Sequence, residues 1–136
     1  MGPGTRFAWQ HDARHHEEGR VISIYDNSAA PPVGPHSRAL LIELDRRNRR
    51  ATLRREYVHP RRLLSPFMGN AQVLPNGNVV VGWGGLPYIT EFRRGGGVHF
   101  DARLPRGGQN YRAFRLPWTG RPDRRTLPGP VSGNVH

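Results

Sequence analysis

Short runs of alternating apolar and polar residues dominate the chain, and clusters of Gly, Pro, Asn and Asp separate them. Such runs predict β-strands bounded by turns. The first run extends from Phe7 to Arg14, and a turn at residues 17–19 separates it from the β-branched run between Val21 and Tyr25. Residues 26–28, with the sequence Asp-Asn-Ser, end this predicted hairpin.

A loop at residues 29–37 follows, because three prolines and a glycine interrupt any continuous strand there. Two further β-runs, Arg38 to Asp45 and Ala51 to His59, then predict a second hairpin whose turn contains Asn48. Together the two hairpins predict a unit of four short antiparallel strands.

The same pattern restarts in the second half of the chain. Four runs predict strands at residues 69–74, 79–83, 88–92 and 98–103, with an Asn-Gly turn signal between the first two. Aligning Gly19 with Gly77 places Tyr25 on Trp83, which indicates an internal repeat. A third copy is predicted to start at residues 110–114.

Repeated units of four antiparallel strands are typical of β-propeller blades. The predicted fold is therefore all-β, with about two four-stranded blades plus the start of a third, and thus an incomplete propeller. The predicted domain bounds are a disordered N-terminus at 1–6, the partial propeller at 7–118 and a disordered tail rich in Pro, Gly and Arg at 119–136.

Composition narrows the classes of function. The 136 residues carry a formal net charge of +11, and all 21 basic residues are Arg. They are spread along the chain without an aromatic-interleaved patch, so we predict a solvated surface and no nucleic-acid partner. An Arg-rich nucleic-acid-binding module remains the weakest alternative.

The absence of Cys excludes disulfides, thiol chemistry and Cys-type zinc sites. No apolar stretch reaches transmembrane length, and the first residues lack the apolar segment of a secretory signal. None of these three observations determines the cellular compartment of the protein.

The segment from Trp9 to Arg14, WQHDAR, holds the residue that we consider the best candidate for chemistry, His11. A neutral imidazole has one ring nitrogen with a free lone pair, so it can act as a nucleophile. From spacing alone, a structural histidine bonded inside the channel of a propeller is the favoured interpretation. His15 and His16 lie beside Glu17 and Glu18, but their spacing fits no metal-ligand pattern, and no metal site is predicted.

An ordered set of segments carries a family resemblance: WQHDAR, ISIYDN, SRALLIELD, REYVHP, SPFMGNAQVLPNGNVVVGWG, PYITEF and NYRAFRLPWTG. With these segments the chain resembles the C-terminal part of the arylsulfotransferase (ASST) family. The resemblance implies a six-bladed propeller with a central active site, and sulfuryl transfer from a phenolic sulfate ester to another phenol. It implies no cofactor or nucleotide donor, and a sulfohistidine intermediate.

By this resemblance Gln10-His11 and Tyr25-Asp26-Asn27 match the family pattern, and His11 is the nucleophile. The expected partners are an aryl sulfate and a phenolic acceptor. Further catalytic residues of the family lie in earlier blades, so the isolated chain is expected to be incomplete as an enzyme. A non-catalytic propeller remnant that acts as a binding or structural module is the alternative.

Two arginines are candidates for binding the sulfate group, although a structural role is the safer interpretation of each. Arg14 is predicted on the same strand face as His11, and Arg38 belongs to the Ser-Arg pair of the resemblance. Open blade faces also predict self-association of the chain.

Overall fold

The computed structural model describes residues 1–117 and 120. These residues contain eight strands in two four-stranded antiparallel sheets, each with its strands in sequential order. Sheet 1 consists of β1 (His11–His16), β2 (Val21–Asp26), β3 (Arg38–Asp45) and β4 (Arg50–Tyr57). Sheet 2 consists of β5 (Asn70–Val73), β6 (Val79–Gly82), β7 (Tyr88–Phe92) and β8 (Val98–Arg103).

The all-β fold predicted from the sequence is confirmed, as two sheets that resemble incomplete propeller blades. They do not close into a ring within the described residues. A single 3₁₀ turn, Glu17–Gly19, joins β1 to β2. Within the described part of the chain, no helix is long and apolar enough to cross a membrane.

The turn between β5 and β6 shows how local sequence fixes a hairpin. Gly77 has a φ of +82°, a conformation that residues with a Cβ atom rarely adopt. The Asn76 side chain accepts a hydrogen bond from the Asn78 N–H at 3.0 Å, which stabilises the turn. The valines of β6 are then buried on both faces, as expected for an inner strand.

The prediction of a strand from Phe7 to Arg14 is wrong in its bounds, because β1 begins at His11 and continues to His16. Trp9 has a φ of 58°, in the left-handed region, so the chain before His11 is not extended. A second left-handed residue, Asp12 at a φ of 55°, lies in a β-bulge between His11 and Arg14.

The main core lies between the two sheets. Tyr25 and Trp83 meet edge to face, with ring centroids 5.9 Å apart, and both side chains are fully buried. Tyr57 on β4 contacts Phe92 on β7 with tilted rings, at 5.3 Å between centroids. The second sheet therefore covers one face of the first, which we call the sheet-1 inner face (Tyr25, Ala39, Leu41 and Tyr57).

One further bulge in each sheet indicates which residues of the two sheets are equivalent. The β3–β4 register shifts between Leu41 and Ile42, and the β7–β8 register shifts between Glu91 and Phe92. Since Ile42 pairs with Ile22 and Phe92 pairs with Val79, Ile22 corresponds to Val79. Tyr25 then corresponds to Gly82, so the sequence alignment of Tyr25 with Trp83 is wrong by one residue.

This correspondence identifies the face of sheet 2 that is equivalent to the sheet-1 inner face. We call it the sheet-2 outer face (Val80, Ile89, Glu91 and Phe100). It borders a groove of about 340 Å³. Phe100 is 55% exposed, so this face is only partly covered.

The opposite face of sheet 1 contacts the N-terminal residues. Ile24, Leu40 and Ile42 are buried there, and Phe7 packs against them. The Gly2 N–H donates to the Ala51 carbonyl at 2.9 Å, and Thr5 is fully buried. Residues 1–6, predicted to be disordered, thus contact β4 in the structure, while the domain bounds as a whole stay a prediction. The predicted tail at 119–136 lies outside the described residues, apart from residue 120.

The predicted third start, residues 110–114, runs along the free edge of β5. The Asn70 side chain bonds both the N–H and the carbonyl of Ala113, each at 2.7 Å. Gln72 bonds the N–H and the carbonyl of Arg115 in the same manner, at 2.7 and 3.0 Å. Two side-chain amides therefore hold an extended segment where a strand partner would otherwise provide backbone bonds. We call residues 110–115 the edge segment.

Candidate active site

His11 lies at the first position of β1, paired with Tyr25 of β2. Its Nδ1 is 2.7 Å from Oδ1 of Asn27 and 3.2 Å from the carbonyl oxygen of Trp9. Its Nε2 has no hydrogen-bond partner among the described residues. The residue is half-buried, and the protein fixes one of its two ring nitrogens.

Asn27 follows directly after β2 and is fully buried. Its Nδ2 donates to the carbonyl oxygens of Ser65 and Met68, both at 3.0 Å. The Ser37 hydroxyl donates to the Asn27 carbonyl at 2.7 Å and accepts from the Ser65 N–H at 2.8 Å. The connection between the two sheets therefore fixes the amide that contacts His11.

The backbone around His11 is unusual. Trp9 and Asp12, on either side of it, both have positive φ, and a bulky Trp adopts this conformation only at an energetic cost. The bend at Trp9 brings its carbonyl oxygen to Nδ1 of His11. The bulge at Asp12 places two β1 residues opposite one β2 residue, so His11 and Arg14 pair with Tyr25 and Ser23. These two β2 residues are two positions apart, which puts His11 and Arg14 on one face of the sheet.

Arg14 is bound through its guanidinium to the carboxylate of Asp12. Its Nε donates to both carboxylate oxygens at 3.0 and 3.1 Å, and its guanidinium lies 5.3 Å from the centre of the Phe114 ring. The hydrogen bond to Asp12 raises the pKa of Arg14 above its usual value. Arg112 also approaches Asp12, at 3.7 Å. Asp12 therefore joins β1 to the edge segment. The His11 imidazole is hydrogen-bonded to Asn27 and not to Asp12.

Arg38 is engaged through all of its guanidinium nitrogens. Nε donates to Asp26 at 3.0 Å, one terminal nitrogen to Glu56 at 2.7 Å and the other to the Arg6 carbonyl at 2.7 Å. Burial lowers the pKa of Arg38, but the bonds to Glu56 and Asp26 outweigh this and raise it overall. Arg38 lines a groove of about 460 Å³, and His11 is not among the residues that line it. The sulfate-binding role of Arg14 and Arg38 stays a prediction.

The His15–Glu18 segment contains no metal site in this geometry. Nε2 of His16 lies 2.9 Å from the Ser23 hydroxyl, and burial lowers the pKa of His16, with the Arg14 charge adding to the effect. Glu17 pairs with Arg54 at 2.6 Å. Across the described residues, no group of three His, Cys, Asp or Glu side chains is placed to hold a metal ion.

A second polar chain runs from the buried side chains of Trp83, Thr90 and His59 to the exposed carboxylate of Asp101. The Trp83 indole donates to the Thr90 hydroxyl at 2.9 Å, and that hydroxyl donates to Asp101 at 2.7 Å. Nδ1 of His59 accepts from the Arg61 N–H at 3.0 Å, so its Nε2 donates to Asp101 at 3.3 Å.

From the sequence, Trp83, Tyr88 and Trp118 are candidates to line a phenol pocket, although the core of a blade is the favoured interpretation. In the structure Trp83 and Tyr88 both contact the His59 ring and belong to the core. Trp118 lies outside the described residues.

Sequence reasoning missed Asn27 as the partner of His11. The signal was its position as the last residue of the Tyr25-Asp26-Asn27 match, directly after the strand that pairs with β1. Asp12, the acidic neighbour of His11 in the sequence, binds Arg14 instead. The long-range bonds to Ser65 and Met68, which fix the Asn27 amide, leave no local pattern in the sequence.

The family model that matches the chain is described as arylsulfotransferase (ASST), and the match spans residues 1–104. The chain belongs to the arylsulfotransferase (ASST) family. The matched part contains His11, Asn27 and both sheets, so the candidate site lies within the family domain. No curated protein and no solved structure matches the chain.

Proposed function

We propose that the protein takes part in sulfuryl transfer from a phenolic sulfate ester to a phenolic acceptor, with His11 as the nucleophile. Membership of the arylsulfotransferase family supports the reaction class. The geometry of His11 supports the residue: Nδ1 is held at 2.7 Å by a buried amide, and Nε2 is left without a partner among residues 1–117. This contact is the observation on which the proposal rests.

The chemistry has two displacement steps. In the first step the Nε2 lone pair attacks sulfur, an N–S bond forms, and the bond from sulfur to the aryl oxygen breaks with departure of the phenolate. In the second step the oxygen of the acceptor phenol attacks sulfur, the N–S bond breaks, and the lone pair returns to Nε2. The proton of the acceptor phenol passes through solvent to the phenolate that left in the first step. Dividing one difficult displacement into two easier ones is the advantage of covalent catalysis.

Electrostatic stabilisation of the sulfuryl oxygens requires cationic or N–H donors near His11. Arg14 and Arg38 are engaged with Asp12, Asp26 and Glu56 in this chain. We therefore propose that the complete site needs donors from a further sheet, and that the chain associates with itself through its open sheet faces to provide them.

The engagement of both arginines also favours a second candidate function, a non-catalytic propeller module with a binding or structural role. In that case His11 is a structural residue that connects β1 to the loop at residues 65–68 through Asn27. The two candidates differ in whether His11 is needed for transfer.

The direct test is transfer of the sulfuryl group from a chromogenic aryl sulfate to phenol, measured for the wild-type chain and for His11→Ala. Because removal of the nucleophile eliminates the covalent route, we expect the rate to fall by more than about 100-fold. His15→Ala is the matched control, since His15 is an exposed histidine of the same strand. Equal loss in both variants, or transfer that survives in His11→Ala, would contradict the proposal.

A further inference from the structure

We infer that Asn27 is a positioning residue that fixes His11 in the tautomer with the proton on Nδ1, so that the lone pair lies on Nε2. The inference rests on the proposed function, since it assigns the reacting nitrogen of that same site. Family membership alone does not assign the orienting residue, the protonation state of His11 or the long-range hydrogen bonds that hold Asn27 in place.

The orientation of the Asn27 amide follows from its neighbours. Nδ2 lies 3.0 Å from two backbone carbonyl oxygens, those of Ser65 and Met68, and carbonyl oxygens only accept hydrogen bonds. The NH₂ group must therefore point toward residues 65–68. The rotated amide would place its oxygen against two carbonyl oxygens in a fully buried position, which is unfavourable. Oδ1 is thus the atom that faces His11.

The proton on His11 follows from the amide. Oδ1 of Asn27 is an acceptor 2.7 Å from Nδ1, and the Trp9 carbonyl is a second acceptor 3.2 Å from the same nitrogen. An unprotonated Nδ1 would face two acceptors without a hydrogen between them. In the neutral imidazole only one nitrogen carries a proton, so Nε2 is left with the lone pair.

A neutral amide suits this role better than a carboxylate. Oδ1 of Asn27 accepts the hydrogen bond from Nδ1 without contributing negative charge. An aspartate there would favour the protonated ring, in which Nε2 has no lone pair. When Nε2 carries the sulfuryl group, the proton stays on Nδ1. The ring then leaves sulfur as a neutral imidazole, which is a better leaving group than an imidazolate.

The brace that holds Asn27 comes from the connection to the second sheet. Ser37 bonds Asn27 and Ser65 through one hydroxyl, and the Ser37 N–H donates to the Leu63 carbonyl at 2.7 Å. Residues 63–68 lead directly into β5. The protonation state of His11 in sheet 1 is therefore set by a segment whose position depends on sheet 2.

The test measures the ring protons of His11 directly. Long-range ¹H–¹⁵N correlation spectra of the chain labelled with [¹⁵N]histidine distinguish the two tautomers at about pH 8, where imidazole is neutral. The His11→Ala spectrum assigns the His11 signals among the seven histidines. We expect the Nδ1–H form in the wild-type chain. A wild-type spectrum of the Nε2–H form overturns the inference without any variant of Asn27.

Asn27→Ser and Asn70→Ser form a matched pair, because both asparagines are fully buried and bond backbone groups of another segment. Of these two asparagines, only Asn27 is hydrogen-bonded to His11. We expect Asn27→Ser to shift His11 toward the Nε2–H form and to lower the rate of sulfuryl transfer by about 10- to 100-fold, with KM little changed. Asn70→Ser is expected to leave the tautomer unchanged.

Failure of the inference and failure of the proposed function give different results. A tautomer that is the same in the wild type and in Asn27→Ser overturns the role of Asn27, as does a shifted tautomer with an unchanged rate. An absence of transfer with the wild-type chain overturns the proposed function, and in that case the two spectra still decide whether Asn27 sets the tautomer.

Discussion

Single residues in this protein owe their chemical character to partners far away in the sequence. His11 is an example, since its Nδ1 contacts Asn27, and Asn27 is held by Ser65 and Met68. The choice of His11 came from the sequence, through the family resemblance, but its orienting group did not. Asp12 is next to His11 in the sequence, but its side chain binds Arg14.

His59 shows the effect of burial on a titrating residue. It is 1% exposed, and burial lowers its pKa below the usual value of 6.5, although Asp101 partly opposes the shift. The unfolded chain therefore binds a proton near pH 6.5 that the folded chain binds only at lower pH. The free energy of unfolding is expected to decrease as the pH falls from 6.5 toward the native pKa.

His59→Gln should remove part of this pH dependence, since Gln does not titrate. Urea unfolding at about pH 7.5 and about pH 5 measures it, and His99→Gln is the control because His99 is exposed. Burial also lowers the pKa of His16 and His36, so a smaller slope remains in His59→Gln. Equal slopes in the wild type and in His59→Gln would show that His59 does not contribute.

At the scale of strands, the order and type of the elements could be predicted, because β-branched runs and Gly-containing turns are local signals. The start of β1 could not, since it depends on the positive φ of Trp9. The correspondence between the sheets was also missed, by one residue, because glycine turns were aligned and the bulges at Leu41 and Glu91 were not visible in the sequence. A bulge adds a residue without changing the alternation that the sequence displays.

The edge segment depends on a close approach at Gly82. A Cβ atom there would lie 2.5 Å from the side-chain oxygens of both Asn70 and Asn110 and 3.0 Å from the Ala113 nitrogen. We expect Gly82→Ala to lower the free energy of unfolding by about 1–3 kcal/mol, because the Asn70 side chain, which holds Ala113 of the edge segment, must move.

Gly95→Ala is the matched control, since nothing lies within 4 Å of a Cβ atom at Gly95. We expect its effect to stay within about 0.5 kcal/mol. Urea unfolding of the two variants measures the difference. Equal stabilities would mean that the edge segment does not pack against Gly82 in solution.

In the whole molecule, the fold leaves the sheet-2 outer face without a partner sheet among the described residues. The sheet-2 outer face is the equivalent of the sheet-1 inner face, and sheet 2 covers the latter with residues such as Val79, Val81 and Phe92. The corresponding residues on sheet 1, among them Ile22 and Ile24, lie on its opposite face. We therefore predict that the sheet-2 outer face of one copy packs against sheet 1 of another, which requires residues 2–7 to leave the face that they contact.

Phe100→Asp tests this association. Phe100 is the large exposed apolar residue that the edge strand β8 contributes to the sheet-2 outer face, so a carboxylate there should weaken self-association by at least about tenfold. Sedimentation velocity over a range of concentrations measures it. Val33→Asp, on an exposed loop residue, is the control for charge, because either variant lowers the formal net charge of +11 and so reduces repulsion between copies. Association that is equal in both variants would exclude this face.

In the proposed mechanism, Nε2 of His11 forms a bond to sulfur. Mass spectrometry of the chain after exposure to an aryl sulfate without an acceptor, at alkaline pH, detects this bond, and mapping of the modified peptide locates it. We expect one sulfuryl group per chain on the peptide that contains His11, and none in His11→Ala. A modification on another histidine, or none on the wild-type chain while sulfuryl transfer proceeds, would contradict this mechanism.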